Sequence, residues 1–122
     1  MPRLLILIVM TLCLACGLVA PTFATDYCPV LTTADDQYCN CLVHNYGTTN
    51  DTGVTAFLFN YGTVVRTCGP YTLAPGGAIL CNKQISGPGL CGCKVTGEGS
   101  MTRTSLVVED GDGDPHSAVP CN

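Results

Sequence analysis

From residue 37 onward, apolar and polar residues alternate in short runs, and a cluster of turn-forming residues closes each run. The runs are QYCNCLVHN (37–45), GVTAFLFN (53–60), GTVVRTC (62–68), YTLAPGGAILC (71–81), LCGCKVTG (90–97), MTRTSLVVE (101–109) and SAVPC (117–121). Between them lie YGTTNDT, NYG, CGP, SGPG, GEGS and DGDGD, rich in residues that tolerate positive φ or preset a turn. No stretch carries an apolar period of 3.6 over eleven or more positions, so no helix is expected. Seven short strands at this spacing predict an all-β protein, an antiparallel β-sandwich that is immunoglobulin-like in the loose sense.

The period of two also assigns faces. Cys39, Cys41 and Val43 share one side of their run, with Tyr38, Asn40, Leu42 and His44 on the other. Thr102, Thr104, Leu106 and Val108 lie opposite Arg103, Ser105 and Val107. In GVTAFLFN, Val54, Ala56 and Leu58 oppose Phe57 and Phe59, which makes that strand central or leaves an aromatic pair in water.

The first 24 residues break the pattern. Arg3, the apolar stretch Leu4 to Ala20, and Thr22 and Ala24 as small residues before a cleavage point form a secretory signal peptide, with cleavage between Ala24 and Thr25. A retained membrane helix fits less well, because the run is about 17 residues long and ends at Pro21 without a basic flank. The domains are then a leader, 1–24, and one sandwich, 25–122. The sandwich carries 4 basic and 9 acidic side chains, for a net charge of −5. That balance argues against nucleic acid, and against membrane once the leader is gone, as partners.

A domain this small buries too little to be secure by hydrophobic burial alone. Eight cysteines follow the leader, at 28, 39, 41, 68, 81, 91, 93 and 121, and in a short secreted chain an even count reads as a disulfide framework. Eight cysteines allow 105 connectivities, so the pairs have to be argued from local geometry. Residues i and i+2 of a strand point the same way, so Cys39 and Cys41 can face Cys91 and Cys93 across the core, pairing Cys41 with Cys93 and Cys39 with Cys91. Cys68 and Cys81 flank GPYTLAPGGAIL, where Gly69-Pro70 and Pro75-Gly76-Gly77 are expected to bend the chain back, and would close that loop. Cys28 with Cys121 follows by elimination. Zinc or an iron–sulfur cluster is disfavoured, because CxC on flat strands lacks the spacing of two to four residues that wraps an ion. After the leader no CxxC redox motif is present.

Four other features carry chemistry. Asp110, Asp112 and Asp114, spaced by glycines, resemble half a calcium loop, but Cys121 stands where a twelfth-position glutamate would complete it, and a plain hairpin turn is the simpler reading. His44 and His116, the two histidines, have no Cys, Asp or Glu at a ligand spacing. Tyr46, Tyr61 and Tyr71 flank turns and could share one end of the sandwich as a binding patch. Asn50-Asp51-Thr52 is a glycosylation sequon. There is no GxSxG and no HExxH, so the expectation is that the protein is no enzyme and takes no cofactor.

The order CLVHN, TLAPGG, CKVTG, TRTSLVV resembles a pattern in small secreted bacterial proteins with a single β-sandwich domain, over about residues 38 to 109. In that pattern an early and a late strand each carry a cysteine, matching Cys41 and Cys93, and a LAPG turn precedes the late strands. This chain adds Cys39, Cys91, Cys68 and Cys81. The resemblance implies fold and secretion, not an activity. The expected function is therefore a secreted, non-catalytic module, structural or binding an extracellular protein or surface ligand. The alternative is a small secreted inhibitor or toxin-like effector that inserts a bridge-fixed loop, 69–80 or 82–90, into its target. An exposed ISGPG loop would favour the inhibitor. A cleft lined by His44, His116 or the Asp110 to Asp114 turn would favour an enzyme.

Overall fold

The computed structural model describes residues 24–121; the expected leader, apart from Ala24, lies outside them. The described chain has no helix and forms nine strands: β1 (Ala24–Tyr27), β2 (Leu31–Thr33), β3 (Gln37–Asn45), β4 (Asp51–Asn60), β5 (Thr63–Leu73), β6 (Ala78–Ile85), β7 (Gly89–Glu98), β8 (Thr102–Glu109) and β9 (Pro115–Pro120). Two antiparallel sheets face each other. One runs β1-β7-β4-β5, with β2 pairing β7 beside β1; the other runs β6-β3-β8-β9.

The alternation read from the sequence decides what fills the space between them. Val43, Val54, Ala56, Leu58, Val95, Leu106 and Val108 are fully buried, and each comes from the inward face of its strand. The buried hydrophobic set holds no aromatic side chain; it consists of nine aliphatic residues and eight cysteines. The sulfurs are therefore core volume as well as cross-links. Cys39–Cys91 and Cys41–Cys93 run side by side from β3 to β7, joining the two sheets through the centre. Cys68–Cys81 ties β5 to β6 at one border, and Cys28–Cys121 joins the two ends of the described chain. These are the four pairs that strand geometry and elimination favoured.

Two expectations about the strands need correction. Residues 25–36, a short N-terminal stretch ahead of the seven expected strands, contribute β1 and β2, because β7 is long enough to hold both along one edge. Their side chains gave no periodic signal since each strand is only three or four residues long. The second correction concerns 71–81. Gly69-Pro70 does not turn the chain; β5 passes through it to Leu73, and the reversal comes at Ala74–Gly77, where the Gly77 amide donates to the Ala74 carbonyl at 2.8 Å. The ladder to β4 slips near this point, between Val54 and Ala56, and Gly69 takes φ +118° against the Val54 carbonyl. That is a bulge, which bends an edge strand without ending it.

Asn45 anchors the neighbouring turn, between β3 and β4. Its buried amide donates to the Thr49 and Leu73 carbonyls at 2.8 and 2.9 Å and accepts from the Gly47 amide at 2.8 Å. This leaves Asn50 exposed just before β4.

Candidate functional site

Register lays out the outer face of the first sheet row by row. Thr55, Thr96 and Thr25 form one row across β4, β7 and β1, and Phe57, Lys94 and Tyr27 form the next. In the third row Phe59 faces Gly92, and here the surface drops. A Cβ on Gly92 would lie in ordinary contact distance of Phe59 and Val30, at 3.8 and 3.9 Å, so the missing side chain is what opens the space. The result is an apolar groove of about 330 Å³ walled by Tyr27, Val30, Phe59, Tyr61 and Leu90. Its floor is Gly92 beside the Cys93 bridge.

The walls are held in place. Tyr61 and Gly62 form a two-residue hairpin loop between Asn60 and Thr63, with φ +48° and +76°. Loops of this kind favour Asn-Gly, because a side chain at positive φ crowds the backbone. A tyrosine there is strained by about 1–3 kcal/mol, and such strain collects at functional positions. Here it keeps the ring over the groove: the Tyr61 amide donates to the Leu90 carbonyl and its hydroxyl to the Pro88 carbonyl, both at 3.2 Å. Tyr27, Val30 and Tyr61 are each about 60% exposed. The Lys94 ammonium sits 5.3 Å from the Tyr27 ring centroid, a cation–π contact at the rim.

A second region lies at one end of the sandwich, where the β2–β3 and β8–β9 turns meet. Asp35, Asp36, Asp110, Asp112 and Asp114 belong to these turns, with Glu109 at the end of β8, and Gln37 links them by donating to Asp110 at 3.2 Å. The other Asp110 oxygen contacts His116 Nε2 at 2.5 Å. The hydrogen bond from His116, then that from Gln37, holds the Asp110 carboxyl below the usual carboxylate range. The turn itself is closed by backbone, with the Asp110 amide donating to Asp114 and the Gly113 amide to Asp110.

The structure does not gather Asp110, Asp112 and Asp114 as ligands. Among the described residues only Cys28, Cys41 and Cys93 place three such atoms within 4.8 Å of one another, and these sulfurs are bonded in disulfides, which offer no thiolate. His116 does line an open hollow with Thr33, Gln37, Pro88 and Ser117. Among the described residues no hydroxyl hydrogen-bonds to His116, whose Nε2 contacts Asp110. His44 lies elsewhere, edge-on to Tyr46 at 4.0 Å and within 3.0 Å of the Gly76 carbonyl.

The three turn tyrosines do not share an end. Tyr46 follows β3 and Tyr71 pairs near the start of β4, whereas Tyr61 follows the far end of β4. Tyr61 joins Tyr27 instead, a residue with no sequence signal beyond its own side chain. The segments considered as inserting loops are mostly sheet: 69–73 and 78–80 belong to β5 and β6, and 82–85 and 89–90 to β6 and β7. The short link between β6 and β7 is held on both sides, by Gly87 donating to Asp35 and by Tyr61 on Pro88. Gly92 could have been found from LCGC alone, as a glycine facing outward between two core cysteines.

Fold and site together define the class: an all-β, two-sheet antiparallel protein stapled by four disulfides, with an apolar groove on one outer face. No helix among the described residues is long and apolar enough to cross a membrane. Comparison of the chain with protein-family models, with curated proteins and with solved structures finds no match.

Proposed function

We propose that this protein is a secreted, non-catalytic β-sandwich module, immunoglobulin-like in the loose sense, that binds an extracellular protein through the groove over Gly92. The observation that carries the proposal is Tyr61, kept exposed and at positive φ beside an apolar floor that a single missing side chain creates. Burying side chains of this size on a partner contributes roughly 1.5–3 kcal/mol apiece, and aromatic anchors in a pocket are the usual centre of an interface. The leader sequence and four disulfides support secretion. The inter-sheet bridges support the immunoglobulin-like reading, and the resemblance to small secreted bacterial sandwich proteins agrees with both.

The test is panning of a displayed peptide library on the oxidised protein. Two variants keep the fold and change the groove: Gly92→Leu fills it, and Tyr61→Asn removes a wall while restoring the preferred hairpin residue. The expected result is enriched peptides that bind the native protein and bind each variant at least about tenfold more weakly, a loss of about 1.4 kcal/mol. No enrichment, or equal binding by both variants, overturns the proposal.

A further inference from the structure

Glu98 sits where a carboxylate is poorly served. Gly97, at φ +80° and packed so that a Cβ would meet the Gly53 carbonyl at 2.5 Å, breaks the alternation of β7 and turns Glu98 inward after Val95. The side chain is 5% exposed. Its Oε2 accepts from the Thr104 hydroxyl at 3.0 Å, and its Oε1 is buried with no hydrogen-bond partner. Asp26 faces it from β1 and Thr104 from β8, and among the described residues no lysine or arginine pairs with it. Burial pushes the Glu98 carboxyl up to about 7; the Thr104 hydrogen bond opposes that shift and the Asp26 charge adds to it.

What lies across from Glu98 is the start of β1. Ala24 is its partner in the ladder, Thr25 is opposite Thr96, and the register slips between Ala24 and Thr25. The Ala24–Thr25 peptide group therefore lies against the Gly97–Glu98 bulge, at the close spacing of paired strands. This is also the bond at which the leader is read to end.

We infer that hydrolysis of the Ala24–Thr25 bond makes the partner Glu98 lacks: the new Thr25 α-ammonium pairs with the Glu98 carboxylate and fastens β1 to β7. The inference rests on the secretory reading above. Water adds across the amide; the carbonyl leaves as the Ala24 carboxylate with the leader, and the nitrogen stays on Thr25 and takes up a proton. An amide N–H becomes a cation whose ordinary pKa is about 8, so it is charged at neutral pH. It would stand between Asp26 and Glu98 and relieve the repulsion of two carboxylates. Charge-assisted hydrogen bonds of this kind are about twice as strong as neutral ones. Leader removal would thus stabilise the strand it exposes.

The experiment compares the oxidised chain beginning at Thr25 with the same chain acetylated at its α-nitrogen, each also as Glu98→Gln. The Glu98 carboxyl is followed by carbon NMR through a pH titration, and melting is recorded at pH 7. The expected result is a Glu98 midpoint higher in the acetylated chain by about one pH unit or more, a tenfold change in its proton affinity. The acetylated chain should also melt lower, and Glu98→Gln should abolish that difference. An unchanged midpoint, or an acetylation cost that survives in Glu98→Gln, overturns the ion pair. N-terminal sequencing of the exported protein separates the two ideas: a start other than Thr25 refutes the leader reading, while the acetylation result still judges the pair.

Discussion

The two central disulfides should be strongly non-additive. Cys39–Cys91 and Cys41–Cys93 each span 52 residues in sequence and join the same two strands two positions apart. In the chain-entropy account, either bridge alone closes a ring of that size in the unfolded chain and stabilises the fold by about 4 kcal/mol. With one in place, the other closes only a small ring through Asn40 and Gly92, and the same relation gives about 2 kcal/mol. Replacing either pair by alanine should therefore cost about 2 kcal/mol plus the local packing loss. Replacing both should cost about 6 kcal/mol plus two packing losses, so the packing terms cancel in the cycle and leave about 2 kcal/mol of coupling. The chain has no tryptophan, so guanidinium unfolding is best followed by far-ultraviolet circular dichroism. Additivity within about 0.5 kcal/mol would refute the reasoning. It would mean that the bridges act through native contacts and not by restricting the unfolded chain.

Three further outcomes are expected. Gly69→Ala should cost about 3 kcal/mol, because a Cβ there meets the Val54 carbonyl at 2.5 Å in a conformation closed to side chains, whereas Gly76→Ala, at φ +75° with open space around it, should cost about 1 kcal/mol; equal melting temperatures would contradict this. In a chain that retains the Ala24–Thr25 bond, Glu98 has a folded pKa of about 7 against 4.5 for the free group. The folded state then holds the proton more tightly, so stability should fall as pH rises from about 4.5 to 7 and level off above, by at most about 3 kcal/mol, and Glu98→Gln should flatten the profile of denaturation midpoints. Calcium and chelator should give the same melting temperature, since the Asp110 to Asp114 carboxylates do not converge and Asp110 is already held by His116 and Gln37.

Much of this architecture is legible in one dimension because its signal is local. Cys39, Cys41 and Val43 had to share a face once their run was a strand, and so did Cys91, Cys93 and Val95; burial then brings the sulfurs together. The inward set of β8, from Thr102 to Val108, is equally periodic and equally buried. Where the reading missed, the deciding partner was far away in sequence. Gly69-Pro70 looks like a turn until β4 is placed alongside to continue the ladder. β1 and β2 are too short to show a period, and they exist as strands because β7 presents a long edge to them.

The candidate site divides in the same way. The sequence by itself determined an all-β chain, two faces per strand, and a cysteine set whose spacing allows few sensible pairings. Those properties follow from backbone period and composition. Only the tertiary structure decided that Tyr61 joins Tyr27 and not Tyr46, that Gly92 is a floor between Phe59 and Val30, and that Glu98 is buried opposite Ala24. Each of these depends on strand order and register, which are set by which edges meet in three dimensions and leave no mark on the residues they bring together.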